Sequence, residues 1–186
     1  MQIKSGFSLI EIMVAIVIIG IVAAIVVPNL GKSKARQERD KFISELNALT
    51  GFALHNAVKT KKLHQVFFDF AEGKREIYLK IFTQKDKYGK DEWAPVTRSY
   101  VKNFVKMIDQ LELKNFYVEG KDEVGKLSSG KGGNVYIYVS DGICQNVVIN
   151  YLDNNQEKSG RNKLPLGLVL NPFSAQFEVF DEFKKP

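Results

Sequence analysis

The chain is poor in the residues that build most reactive sites: one cysteine, two histidines and one tryptophan in 186 residues, with only five prolines. A lone Cys144 excludes an intrachain disulfide, and with it a disulfide-stapled secreted scaffold. His55 and His64 lie far in sequence from Cys144, so neither zinc-ligand spacing nor a Cys/His dyad is present. The sharpest local shortage is of polar side chains. Ile12 to Val27 has none, and from Phe7 to Leu30 the only ionisable side chain is Glu11.

What the chain does have is enough length for one globular domain plus an extra element, with 45% hydrophobic and 26% charged residues. The net charge is +6, but Lys and Asp/Glu alternate along most of the sequence, and this does not favour nucleic acid as a partner.

Roughly 24 helical residues from Phe7 to Leu30 reach about 36 Å, against a hydrocarbon core of about 30 Å. The segment is apolar all round, unlike the one-sided face of an ordinary core helix. It exceeds the apolar stretch of a cleaved secretory signal, and Val27-Pro28-Asn29 supplies no small-x-small cleavage site. The expectation is a retained membrane span. Glu11 sits about one turn inside it, where a carboxylate costs a few kcal/mol and where its side chain is too short to snorkel well. That predicts a cationic partner.

Lys4-Ser5-Gly6-Phe7-Ser8-Leu9-Ile10-Glu11, followed by Ile12-Met13-Val14-Ala15, resembles the class III signal of type IV pilins and type II secretion pseudopilins. The resemblance covers about the first thirty residues, through Gly20 and Pro28-Asn29-Leu30. It implies that a prepilin peptidase cuts after Gly6 on the cytoplasmic side and N-methylates Phe7, and that Glu11 neutralises the Phe7 amine of a neighbouring subunit. Paired, the two charges compensate a desolvation that each alone could not bear, so their meeting favours one stagger between subunits. The resemblance also sets the orientation, N-terminus in the cytoplasm. Charge alone argues the reverse, because Lys32, Lys34, Arg36, Arg39 and Lys41 crowd the far side of the span.

Pro28 and Gly31 weaken the helix where the span ends, and a bend or local melting is expected at Pro28. Arg36 and Asp40 form an i,i+4 pair on a solvated stalk. Phe42, Leu46, Leu49 and Ala53 then recur at three- and four-residue steps, predicting an amphipathic helix to about Val58.

Beyond Lys59 the pattern becomes that of strands. His64 to Phe70 and Glu76 to Phe82 read as a hairpin around Glu72-Gly73-Lys74. Gln84 to Pro95 reads as a loop, Tyr100 to Ile108 as a short helix, Leu111 to Val118 as a strand, and Glu119 to Asn134 as a loop. Val135 to Val139 and Val147 to Leu152 read as a second hairpin flanking Asp141-Gly142. Leu164 to Leu170 and Gln176 to Phe180 form a closing pair. This order of elements is similar to that of the minor pseudopilin H of type II secretion systems.

No catalytic constellation emerges. Ser129-Gly130-Lys131-Gly132-Gly133-Asn134 lacks the Gly-Lys-Ser/Thr of a phosphate loop and leads into a strand. Asp69, Glu72 and Glu76 are turn acids rather than an acid/base pair. Asp153-Asn154-Asn155-Gln156-Glu157 lacks the spacing of a calcium loop. Trp93, with Tyr88, Tyr100, Lys85, Lys87, Lys90 and Arg98 around it, is a candidate binding surface or a domain-core element.

The sequence therefore predicts an α+β protein: a pilin-like N-terminal helix packed on an antiparallel β domain. Its expected parts are a leader at residues 1–6, a membrane and filament-core helix at 7–30, a periplasmic amphipathic helix at 31–58, and a globular domain at 59–186. The implied function is a non-enzymatic minor pseudopilin without cofactor or metal. Its implied partners are the prepilin peptidase, other pilins or pseudopilins, an inner-membrane assembly platform and the membrane itself. A type IV minor pilin serving assembly, adhesion or DNA uptake is the alternative. A single-span periplasmic enzyme or binding protein is a third reading, for which no residues speak.

Overall fold

One helix organises the molecule. In the computed structural model, which describes residues 9–71, 74–96, 104–127, 133–154 and 163–186, α1 runs from Leu9 to Thr60. It passes Pro28 without a break, and the side chains of residues 25–33, 35 and 126 lie outside the described set. Arg36 and Asp40 pair on its exposed surface at 3.9 Å, as their spacing predicts.

The C-terminal half of α1 docks because its apolar residues fall on one face. Phe42, Leu46, Leu49, Ala53 and Ala57 are all buried, and that face lies against strands of both sheets. Two small residues, Ala53 and Ala57, are fully buried near its end and let the helix backbone approach closely.

Two antiparallel sheets form the rest. The strands of the first are β1 (His64–Asp69), β2 (Glu76–Lys85), β3 (Asp91–Pro95) and β4 (Phe104–Lys106), joined later by β7 (Asn134–Ser140) and β8 (Ile143–Cys144). Their order is β3-β2-β1-β7-β8, with β4 also on β2. The second contains β5 (Leu111–Val118), β6 (Lys121–Asp122), β9 (Val147–Asp153), β10 (Leu164–Asn171) and β11 (Gln176–Phe180), in the order β11-β10-β9-β5-β6. A short helix, α2 (Val124–Leu127), follows β6. Phe68 of β1 meets Phe116 of β5 edge-on at 4.9 Å, both fully buried, so the sheets share one core with α1.

The predicted first hairpin is β1 with β2, paired from His64↔Ile81 to Asp69↔Glu76. The closing pair is β10 with β11, and β5 spans Leu111–Val118 as predicted. Four expectations are corrected. Gln84 to Pro95 is not a loop: β2 continues to Lys85 and pairs through a bulge with β3, held by Thr83 and Gln84 bonds to Glu92. Its polar sequence is that of a solvated edge strand. Of the predicted helix at Tyr100 to Ile108, residues 104–106 form β4 instead. Val105 is buried between exposed Phe104 and Lys106, the alternation of a half-buried strand. Residues 97–103 lie outside the described set.

The predicted loop at Glu119 to Asn134 contains β6 and α2, with 128–132 outside the described residues. Finally, β7 and β9 are not a hairpin. β7 turns at Asp141-Gly142, both at positive φ (46° and 83°), into the two-residue β8, and the chain then crosses to the second sheet. β9 is central there and buried on nearly every residue, a position for which its largely apolar sequence, interrupted by Asn150, is suited.

The C-terminal tail closes the far side of the second sheet. Buried Asn150 donates to the Lys184 carbonyl (2.8 Å) and accepts from the Lys184 amide (3.0 Å), so one side chain does the work of a neighbouring strand. Its cross-strand partner is Gly167. A Cβ at Gly167 would collide with the Glu182 carbonyl, so glycine is what lets the tail lie there.

Candidate functional site

The two halves of α1 are built from different sequence and meet different surroundings. From Leu9 to Ala24 every side chain is exposed. The large apolar ones range from 51% exposed at Ile12 to 77% at Leu9. An apolar surface of this extent on a folded chain marks a place that lipid or protein covers. Among the described residues no helix is long and apolar enough to cross a membrane. The apolar run continues through Ile25, Val26 and Val27, whose side chains are outside the described set.

Glu11 lies in the first turn of α1, where the helix dipole favours a carboxylate, and it is exposed. Gly6 and Phe7, the expected cleavage and methylation positions, fall outside the described residues, as does Lys4. The exposed half therefore presents one acid on an otherwise apolar described surface.

How the other half is held determines where this surface points. Asn47, on the flank of the buried stripe, accepts from the Phe177 amide at 2.7 Å and donates to the Phe177 carbonyl at 3.4 Å. Phe177 is in the edge strand β11, so Asn47 satisfies backbone groups that would otherwise face solvent. Buried Thr50 donates to the Ala175 carbonyl at 2.6 Å, and Gln176 donates to the Asn47 carbonyl. At the exit from the domain, Arg39 approaches buried Asp153 at 3.8 Å. That carboxylate, at the end of β9, is the first of the oxygens in the Asp153-to-Glu157 run, and it faces a cation of the helix. Among the described residues no group of three His, Cys, Asp or Glu side chains could hold a metal.

Near the C-terminal end of α1, His64 is fully buried. Its Nδ1 donates to the Lys62 carbonyl (2.8 Å), and Nε2 accepts from the Asn56 amide (2.9 Å). Burial pushes the imidazole below its ordinary pKa, only partly offset by the Lys62 bond. It is a neutral strut between helix and β1. Cys144 is buried too, and desolvation raises its thiol to about 11, which removes it as a nucleophile.

Among the described residues, Trp93 packs against rings other than those named with it from the sequence. It stands half-buried on β3, against Phe82 and Tyr138, while Tyr88 projects from the β2–β3 turn at 82% exposure. Tyr100 and Arg98 are outside the described residues. The Asn47 and Asn150 clamps escaped the sequence reading altogether. An asparagine beside an apolar stripe is the one trace the first leaves.

Comparison with known proteins singles out the same N-terminal region. Residues 1–27 match the prokaryotic N-terminal methylation motif. The chain is similar to type II secretion system core protein G of Klebsiella pneumoniae, 53% identical over 51 residues, 27% of this chain and 36% of that protein. It is also similar to core protein G of Aeromonas hydrophila (45% over 60 residues, 32% and 38% of the two chains) and of Escherichia coli K12 (47% over 60 residues, 32% and 38%). In each case the chain spans well under half the length of the relative. No solved structure matches. The chain thus carries a prepilin-type methylation motif, and its similarity to these core proteins G covers 27% to 32% of its length.

Proposed function

We propose that this chain is a structural subunit of a type II secretion pseudopilus, and not an enzyme. In this reading the leader is cut after Gly6, Phe7 is methylated, and the apolar half of α1 anchors the subunit in the inner membrane with its β domain in the periplasm. The helix then packs against other subunits as the filament extends, supporting export of folded proteins across the outer membrane. The observation that carries the reading is the conjunction of the methylation motif at residues 1–27 with an apolar helix surface exposed from Leu9 to Ala24. Glu11 compensates the Phe7 amine of a neighbour, and Pro28 is the position at which the helix adjusts on leaving the membrane.

Within that assembly we place the chain among the minor subunits, of the H type. Support comes from the extent of the similarity, which covers only 27% to 32% of this chain in those core protein G relatives and leaves most of it outside the match.

A strain lacking the gene tests the proposal. Exported proteins should accumulate in the periplasm while surface pili remain normal in number. Normal secretion with lost or altered pili would instead assign the chain to a type IV pilus as a minor pilin.

A further inference from the structure

α1 covers one face of the first sheet, and the opposite face carries two groups of aromatic rings. Strand register places Phe67 of β1 between Tyr78 of β2 and Tyr136 of β7, and Phe82 of β2 opposite Trp93 of β3. Centroid separations are 5.1 Å for Phe67–Tyr78, 5.8 Å for Phe82–Trp93 and Trp93–Tyr138, and 5.2 Å for Tyr136–Tyr138. The Lys80 ammonium lies 3.5 Å over the Phe67 ring. Tyr136 is 42% exposed.

The platform is held in place before any ligand arrives. Gln145 accepts from the Tyr138 amide at 2.9 Å, and its own amide donates to the Tyr138 carbonyl at 3.2 Å. Rings fixed on a sheet lose little freedom on binding, which favours a partner able to stack.

Beside Tyr136 and Tyr138 the surface opens into a groove of about 310 Å³, whose polar walls include Gln145, Asn134, Glu119 and Glu123. That volume is at the lower end for small-ligand clefts, about 300–1,000 Å³. Lys121 is the one cation among its described walls, so two carboxylates outweigh it and oppose a phosphate backbone. Aromatic faces beside amides and carboxylates suit a ring with an apolar C–H face and a rim of hydroxyl groups.

We propose that this face binds a neutral oligosaccharide, with one pyranose stacked on the exposed Tyr136 ring and its hydroxyls bonded in the groove. The chain of sugars continues across the sheet toward Trp93.

Trp93 is the only tryptophan, so its fluorescence reports on this face without labelling. The full chain, in a zwitterionic detergent free of sugar, is titrated with the tetramer of N-acetylglucosamine and with cellotetraose. A saturable change in Trp93 emission is expected with a midpoint of about 1 mM or below. Tyr136→Ala should weaken binding by about tenfold or more, whereas Tyr136→Phe, which keeps the stacking face, should stay within about threefold. Absence of saturation up to about 10 mM, or equal binding by Tyr136→Ala, overturns the proposal. So does tighter binding of a single-stranded oligothymidylate or a proline-rich peptide than of either sugar.

Discussion

The two halves of α1 have similar helical backbone and opposite fates. In the docked half, apolar residues at three- and four-residue steps leave a polar back, and the domain buries Phe42, Leu46, Leu49, Ala53 and Ala57. In the protruding half the apolar residues run all round, and from Leu9 to Ala24 the domain buries none. Hydrophobicity alone does not decide which part of a helix enters a core. A domain can cover one stripe, and a helix without a polar back needs a surrounding medium or a ring of neighbours.

Substitutions in the two halves should separate stability from assembly. Leu46→Ala, in the fully buried stripe, should cost about 2–5 kcal/mol of domain stability. Ile16→Ala, at a position 64% exposed, should stay within about 0.5 kcal/mol of the parent. Urea denaturation of the full chain in detergent, followed by Trp93 emission, measures both. Equal losses would erase the distinction between the halves.

Asn47→Ala sharpens the comparison at the boundary, since it removes both bonds to Phe177. A loss of about 1–3 kcal/mol is expected, because an edge-strand amide and carbonyl lose their partner. Hydrogen exchange at the Phe177 amide should accelerate in the same variant.

A further effect depends on acidity and belongs to the docked half alone. His64 has a depressed pKa in the folded chain, so the unfolded chain binds the proton more readily. Stability is therefore complete above about pH 6.5, the ordinary histidine value, and falls as pH drops below it toward the folded pKa. His64→Gln should flatten that part of the stability profile measured from pH 7.5 to 5. An unchanged slope would mean that His64 is not the group responsible.

The smallest effect is expected on the stalk between the halves. Arg36 and Asp40 are 71% and 58% exposed at 3.9 Å, and Arg36→Ala should change stability by no more than about 0.5 kcal/mol. The same denaturation curves measure it, and a loss above about 1 kcal/mol would show that the stalk is part of the folded domain.

Much of this division was legible in the sequence because it is written in period. The buried stripe from Phe42, strand β5 and the β10–β11 pair each carry a local pattern that the structure repeats. Elements without such a pattern were misread. β3 is a polar edge strand, and β4 shows only one buried residue, Val105. The β7–β9 difference has another cause: Asp141-Gly142 does mark a turn, but into the two-residue β8, and β9 lies in the other sheet, a choice made by burial on both faces rather than by the turn. Glu11 stood out as one charge in an apolar run. The aromatic face was hidden, since Phe67, Trp93 and Tyr138 come together only through strand order.

The central claim is that the protruding half of α1 is an assembly surface that Glu11 sets in register. A photoreactive amino acid at Ile16 in the native bacterium, with adducts identified by mass spectrometry, tests it most directly. The account predicts adducts to another subunit carrying a prepilin-type N-terminus, lost in Glu11→Ala while cleavage after Gly6 continues. Subunit adducts that persist undiminished in Glu11→Ala, or only lipid adducts in both, would contradict it.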